Sequence, residues 1–434
     1  MRPSPADLRR PLCRPVPLSV LIFHPSTAPF VQQPARALFE AGLLDRLYTA
    51  IRDRPAGRRQ RLACALAALG GYDLRRQLGR RAVTEIPAEL VSTFPFREWV
   101  RLLSGALDRS GRATDLVWEW AEPGFDRTVS RQLHSGLRGV YGFEYSSLAT
   151  FTAAHARGLK VIYDVPAPEP RFVQGMLNRE IAQFPELDNP YHRHTEEREE
   201  RRIARRRAEW HAADTVIANS EFTKRTYVAA GLDGTKVRVV PYGAPPPVAR
   251  DIALGGPPQS DPLQLLWAGT FGIRKGAHYL LEAWRKHNFG AHARLRIHGA
   301  VTLPERLLAL LPPEIELGGS IPREQLMDVY RRSDALIFPT LCDGFGLVVT
   351  EAFSRGLPVI TTDCAGAADL VRHGENGFII TAASADAIAT SIAWCLGHRA
   401  ELAAMRESAL ATAAEHQWSD YRLALATGVR AALA

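Results

Sequence analysis

The sequence predicts an α/β protein made of two doubly wound domains. Three observations carry the expectation: short apolar runs rich in Val and Ile recur along the chain, helical patterns separate them, and a proline-rich stretch divides them into two series. Such runs lack the alternation of a half-exposed strand and suit parallel strands covered on both faces.

The chain has 434 residues, 46% hydrophobic and 23% charged, enough for ordinary cores in two or three domains. Strands of the first series are read at 19–23, 137–141, 161–163, 215–218 and 237–240. Those of the second are read at 263–267, 295–298, 335–338 and 358–361. Pro245, Pro246, Pro247 and a Gly-Gly-Pro-Pro stretch between them have the composition of a linker. The expected units are a first domain over 1–244, a linker over 245–260, a second domain over 261–415, and a last helix over 416–434 returning to the first domain. Residues 195–209 alternate acids and arginines and read as a solvated helix face without chemistry, and His192 and His194 as loop histidines.

The longest apolar run near the start, 18–23, is too short to span a membrane. Arg9, Arg10 and Arg14 before it imitate the basic segment of a leader, but neither the core nor a cleavage site follows. Five scattered cysteines, Cys13, Cys64, Cys342, Cys364 and Cys395, fit a reducing cytoplasm better than a disulfide framework or zinc site. The formal net charge is +8, and the five lysines are outnumbered by 49 arginines. Arginines crowd the first hundred residues, at Arg52, Arg54, Arg58, Arg59 and Arg61 and again at Arg75, Arg76, Arg80 and Arg81. Such a surplus suits an anionic lipid surface.

Ligands of doubly wound sheets sit beyond the carboxyl ends of strands, so the chemistry is sought there. Strand 263–267 runs into Ala268-Gly269-Thr270-Phe271-Gly272-Ile273-Arg274-Lys275-Gly276, with a helix read from His278 to Trp284. A glycine-rich turn beside a basic pair can hold a diphosphate, although it is neither a P-loop nor a dinucleotide fingerprint. Strand 335–338 runs into Pro339-Thr340-Leu341-Cys342-Asp343-Gly344-Phe345-Gly346-Leu347-Val348-Val349-Thr350-Glu351. Asp343 falls in the loop and Glu351 about one turn inside the next helix, where carboxylates can accept bonds from sugar or ribose hydroxyls. Gly344 and Gly346 allow close backbone approach, and the helix start at Gly346, Leu347 and Val348 offers N–H groups to phosphate.

These segments resemble the retaining glycosyltransferases of family 4, also called glycosyl transferases group 1. The resemblance runs from Asp343 to Glu351, through Ala352-Phe353-Ser354-Arg355-Gly356-Leu357-Pro358-Val359-Ile360, to Asp363, Gly366 and His373-Gly374-Glu375-Asn376-Gly377. It includes Gly269 with Lys275-Gly276, and reaches back to 213–222 and Pro241-Tyr242-Gly243. It covers about half the chain and thins out over the first hundred and thirty residues.

The resemblance implies a GT-B fold and a hexosyltransferase that retains anomeric configuration. It implies that Lys275 neutralises a departing diphosphate, Glu351 binds ribose hydroxyls, and Asp343 with the 344–346 backbone holds the transferred sugar. Two positions depart from the family: Asp343 stands where members usually carry glutamate, and Thr270 where they carry arginine, a charge Arg274 can supply. In the first domain His24, Glu144 and Asp164 each end a strand and can take the acceptor's proton, bind a hydroxyl or order a loop. No Asp-x-Asp pair occurs, so metal independence is expected, with no cofactor beyond the nucleotide diphosphate sugar co-substrate. The expected partners are that donor, a sugar or lipid-linked acceptor and an anionic membrane surface; nucleic acid is not among them. The alternatives are a nucleotide-sugar epimerase on the same scaffold and a non-catalytic binding subunit.

Overall fold

The computed structural model describes residues 19–434 except 56, 70–72, 109, 189, 255–261 and 288, and excepting the side chains of 59, 190–197, 252, 254 and 291. Arg9, Arg10, Arg14, Cys13 and the Gly-Gly-Pro-Pro stretch lie outside the described residues.

Two parallel sheets organise the chain. The first holds β1 (Val20–Phe23), β2 (Leu44–Thr49), β3 (Val91–Thr93), β4 (Gly139–Phe143), β5 (Lys160–Val165), β6 (Thr215–Ala218) and β7 (Val237–Val239) in the order β3-β2-β1-β4-β5-β6-β7. The second holds β8 (Leu263–Ala268), β9 (Ala293–His298), β10 (Ile315–Leu317), β11 (Ala335–Phe338), β12 (Val359–Thr362) and β13 (Gly377–Ile380) in the order β10-β9-β8-β11-β12-β13. Every residue of β1, β4, β11 and β12 is buried, as unalternated Val and Ile runs require when helices cover both faces. Strand order reverses between β1 and β4 and again between β8 and β11, and each reversal opens a crevice at the carboxyl ends.

Four of these strands escape a sequence reading. Asp45 and Arg46 interrupt β2, while β3 and β10 are three residues long at the sheet edges. The outermost β13 offers only Phe378, Ile379 and Ile380, and none of its residues after Gly377 is fully buried.

The first domain is covered by α1 (Pro29–Glu40), α2 (Arg58–Leu69), α3 (Leu74–Gly79), α4 (Phe96–Leu107), α5 (Arg112–Val129), α6 (Leu148–His155), α7 (Pro170–Gln183), α8 (Pro190–His211) and α9 (Glu221–Ala229). The expected linker contains α10 (Arg250–Leu254). The second domain carries α11 (Ala277–His287), α12 (Glu305–Leu308), α13 (Arg323–Arg332), α14 (Leu347–Phe353), α15 (Ala385–Gly397) and α16 (Arg399–Glu415), and α17 (Trp418–Leu433) follows.

The helix α17 starts from a reciprocal cap, Gln417 with Asp420, and lies against α1: Arg422 reaches Glu40 at 2.8 Å and Gln33 at 3.0 Å. At its start the chain crosses the outgoing segment so closely that a Cβ on Gly243 would stand 2.3 Å from the Trp418 nitrogen. Tyr242 fills the seam, its ring 5.3 Å from Phe345 and 5.6 Å from Tyr421.

The acid-arginine run is not a solvated face. His192 and His194 lie within α8, not in a loop, and their side chains are outside the described set. Further along α8 the partners lie across the fold: Arg202 meets Asp115 at 2.5 Å with both side chains 8% exposed, and Arg205 meets the fully buried Asp126 at 2.6 Å. Glu209, also buried, accepts the backbone N–H groups of Tyr145 and Ser147 after β4. Helical spacing suggested pairs along one helix; the acids of α5 instead capture these arginines and fix the loop that carries Glu144.

Candidate active site

Each loop singled out in the sequence leaves a strand at a reversal point. Gly269–Gly276 follows β8 and Pro339–Gly346 follows β11, so the two meet over one crevice of the second sheet. They are stitched together: the Arg274 carbonyl accepts the Leu341 N–H at 3.0 Å and the Thr340 hydroxyl at 3.2 Å. The turn at Ile273–Lys275 closes on Gly276 at φ +75°, where a Cβ would stand 2.1 Å from the Pro339 carbonyl oxygen. Only glycine allows both that backbone and that approach.

Lys275 Nζ donates directly to Asp343 Oδ2, and the two side chains are 12% and 19% exposed. Burial lowers the Lys275 pKa and neighbouring Arg274 lowers it further; the Asp343 carboxylate opposes both. Arg274 is itself lowered by burial, and among the described residues its side chain finds only the Cys342 carbonyl, at 3.4 Å. Among the described residues Lys275 is answered by Asp343 while Arg274 meets no carboxylate, so an incoming polyanion would complete the balance.

Glu351 sits on α14 with Arg323 Nη2 at 2.9 Å and the Tyr330 hydroxyl at 3.3 Å. Burial raises its pKa and Arg323 pulls it back. The Arg323 side chain is 60% exposed and can swing away when a ligand hydroxyl replaces it. Glu351 lines a 660 Å³ cavity between the domains, shared with Gln32 and Gln33 of α1, Arg355, and Trp418 of α17. Sequence reasoning missed Arg323, Gln32 and Gln33, which carry no local signature.

Placement differs among the other expected residues. Gly269, at φ +103°, and Thr270 are exposed at the mouth of the β8 loop. Gly346 caps α14 at φ +89°, and a Cβ there would stand 2.8 Å from the Phe338 ring. Leu347 and Val348 open α14, where helix geometry leaves N–H groups without partners inside the helix. Gly344 and Phe345 instead serve domain packing. A Cβ on Gly344 would stand 2.4 Å from the Pro166 carbonyl oxygen, and the Gly344 carbonyl accepts the hydroxyls of Ser220 at 2.6 Å and Thr223 at 3.1 Å. The Phe345 ring is buried on Tyr242, and its N–H donates to Asp343 at 3.2 Å.

In the first domain His24 and Glu144 leave β1 and β4, so both stand at its reversal point. His24 lies edge-on to Phe30 and Phe143, and burial pushes its pKa down to about 4. Its Nδ1 lies 3.0 Å from the Ser26 backbone nitrogen and 3.4 Å from the Ser26 carbonyl oxygen. Glu144 meets Arg206 at 2.5 Å and lines two cavities, one of 290 Å³ that also touches Arg274 and one of 480 Å³ that also touches His24. Asp164 is not brought to them. It lies within β5, 1% exposed, and accepts the Tyr141 hydroxyl at 2.5 Å, with its pKa raised to about 7 by burial.

With that geometry in place, the family model described as Glycosyl transferases group 1 matches residues 255–411. The second domain belongs to that family. An uncharacterized glycosyltransferase of Methanocaldococcus jannaschii is 26% identical over 139 residues, covering 31% of this chain and 36% of the relative. A D-inositol 3-phosphate glycosyltransferase of Nocardia farcinica is 28% identical over 248 residues, covering 51% and 53%. The matched stretches therefore span only about a third to a half of these curated relatives.

Fold likeness extends further. Sucrose-phosphate synthase from Thermosynechococcus elongatus superposes with a TM-score of 0.62 at 18% identity, covering 95% of this chain and 98% of that one. Anabaena HepE in complex with UDP-glucose gives 0.59 at 16%, covering 95% and 100%. The fold is GT-B, with the group 1 loops at the second sheet's reversal point.

Proposed function

We propose that the protein is a retaining, metal-independent glycosyltransferase. It moves a sugar from a nucleotide diphosphate donor held by the second domain onto an acceptor held by the first. The observation that carries the reading is the convergence of Arg274, Lys275 and Asp343 at the β8–β11 reversal, with Glu351 on the next helix facing a cavity between the domains. The bond from the anomeric carbon to the diphosphate breaks and the acceptor oxygen takes its place. The acceptor's proton leaves with the nucleoside diphosphate, whose charge Lys275 and Arg274 meet. Glu351 would hold ribose hydroxyls and Asp343 the sugar. The named activity of the Nocardia farcinica relative and the UDP-glucose in Anabaena HepE support a nucleotide-sugar donor. A panel of nucleotide sugars tests it: at least one should raise the melting temperature and release nucleoside diphosphate with chelator present. Release that vanishes with chelator and returns with metal overturns metal independence, and an epimerised donor formed without acceptor marks an epimerase instead.

The acceptor side fits surface polysaccharide or glycolipid assembly at the cytoplasmic face of an anionic membrane. Among the described residues no helix is long and apolar enough to cross a membrane. Large apolar side chains are exposed on α2 (Leu62, Leu66, Leu69), α4 (Phe96, Leu103, Leu107) and α5 (Leu116, Trp120). Phe96 and Trp120 pack at 6.2 Å, so the stripes of α4 and α5 adjoin. Between Arg52 and Arg112 thirteen arginines meet six carboxylates. Apolar stripes within a basic surface suit reversible binding to anionic lipid, weakened by salt. Sedimentation with anionic vesicles at low salt should carry the protein down, less so for Leu103→Ser with Leu107→Ser. Protein left in the supernatant at low salt ends the membrane reading and leaves the donor site untouched.

A further inference from the structure

Besides Asp343, Lys275 has an aromatic neighbour: its Nζ stands over the Phe338 ring, 5.2 Å from the centroid. Phe338 is the last residue of β11 and 3% exposed. Its carbonyl is held twice, by the Thr361 hydroxyl and the Thr340 N–H, each at 2.9 Å. On another side the ring meets Gly346, where a Cβ would stand 2.8 Å from it. Strand and helix cap therefore fix the ring, and it offers the ammonium an electron-rich face. A carboxylate and a ring hold a cation in different ways. Asp343 cancels the charge it pairs with, whereas a neutral ring fixes the ammonium and leaves its charge for a third group. The difference matters when a diphosphate departs, because sugar hydroxyls then claim Asp343 and Lys275 has to pass from it to the phosphate.

We infer that Phe338 is a positioning residue of the transfer reaction: its ring keeps the Lys275 ammonium charged and in place as the lysine passes from Asp343 to the leaving diphosphate. The inference rests on the transferase reading and adds a residue that acts through Lys275. Burial and the neighbouring Arg274 press Lys275 towards its neutral form. Asp343 and Cys342 are the other titratable groups that face it. Asp343 is given up to the sugar, and burial keeps Cys342 a neutral thiol, its pKa raised to about 11. Until the phosphate is reached, the ring is then the contact among the described residues that favours the ammonium.

The test replaces Phe338 in the full chain by phenylalanines carrying one, two and three ring fluorines, which withdraw charge from the ring face and barely change its shape. The chain has five lysines, so isotope-labelled lysine gives five side-chain signals by NMR, and Lys275→Met assigns the one at issue. The ring favours the charged form, so weakening it lowers the lysine's pKa. Lys275 should lose its proton at progressively lower pH along the series, by about half a pH unit or more with three fluorines, and the alkaline limb of turnover should move the same way. With saturating donor, kcat should fall stepwise, about tenfold with three fluorines, while KM stays within about threefold. In a Lys275→Met background the series should change the residual turnover no further. If either the titration or kcat stays unchanged along the series, or if the fall in kcat persists without the lysine, the inference is overturned and the donor site stands. If the wild type releases no nucleoside diphosphate from any nucleotide sugar, the transferase reading falls, and Phe338's part in the reaction falls with it.

Discussion

Replacing Lys275 by methionine keeps the length of the side chain and removes its charge. The lysine is 12% exposed and among the described residues meets one carboxylate, Asp343, and the Phe338 ring at 5.2 Å, so its charge acts on a departing diphosphate through little water. At an effective dielectric constant of about 20, two unit charges about 4 Å apart interact by about 4 kcal/mol, which corresponds to about a thousandfold in rate. Folding should suffer far less. The variant leaves Asp343 with the Phe345 N–H at 3.2 Å and no cation, a loss of about 1–3 kcal/mol for a partly buried carboxylate. Converting Asp343 to Asn in the same chain should restore much of that stability without restoring turnover. The assay is nucleoside diphosphate release under saturating donor, with urea unfolding run in parallel. Turnover within about threefold of wild type would remove Lys275 from the reaction, and a turnover loss repaired by Asp343→Asn would show that only the ion pair mattered.

Asp343→Glu should fold as the parent does and change donor preference or KM, because one methylene moves the carboxylate relative to Lys275; identical constants across the donor panel would place Asp343 away from the sugar. Gly276→Ala should lower the melting temperature markedly, since the new Cβ meets the Pro339 carbonyl at a left-handed φ; an unchanged melting temperature would mean the turn is not formed as described. Stability should also depend on pH through Glu122, raised to about 8, and Asp164, raised to about 7. Unfolded carboxyls titrate near about 4, so the folded chain binds the extra protons in between. The contribution is fully present below the unfolded value and is lost as pH rises through the folded one. Glu122→Gln should therefore gain stability over wild type from pH 5 to 9 and level off above 8; parallel curves would show that Glu122 ionises freely.

The parts legible in the sequence share one property: their residues are contiguous. The segments after β8 and β11 hold Lys275, Asp343 and Glu351 within two short stretches, and a buried apolar run announces each strand before them. The acceptor side is assembled otherwise. Glu98 of α4, Glu122 of α5 and Glu144 after β4 meet around one cavity, and Arg206 reaches in from α8, so no spacing rule joins them. The run in α8 misled for the same reason: its nearest acids in sequence were taken as partners, while Asp115 and Asp126 sit some eighty residues away and make the buried pairs. Gly344 and Phe345 show a further limit. A small residue and an aromatic beside a candidate carboxylate suit a ligand, yet the same pair can seat one domain on another, and only the fold shows Pro166 and Tyr242 against them.

A nucleoside diphosphate bound at the β8–β11 reversal would rest its ribose on Glu351. Calorimetric titration with UDP, ADP, GDP, CDP and dTDP tests it most directly. At least one should bind the wild-type chain at one site, Glu351→Gln should weaken it by about tenfold or more through the lost ribose contact, and Lys275→Met should weaken it further. Glu351→Gln variant protein that binds as wild type does, or a wild-type chain that binds none of the five, would contradict it.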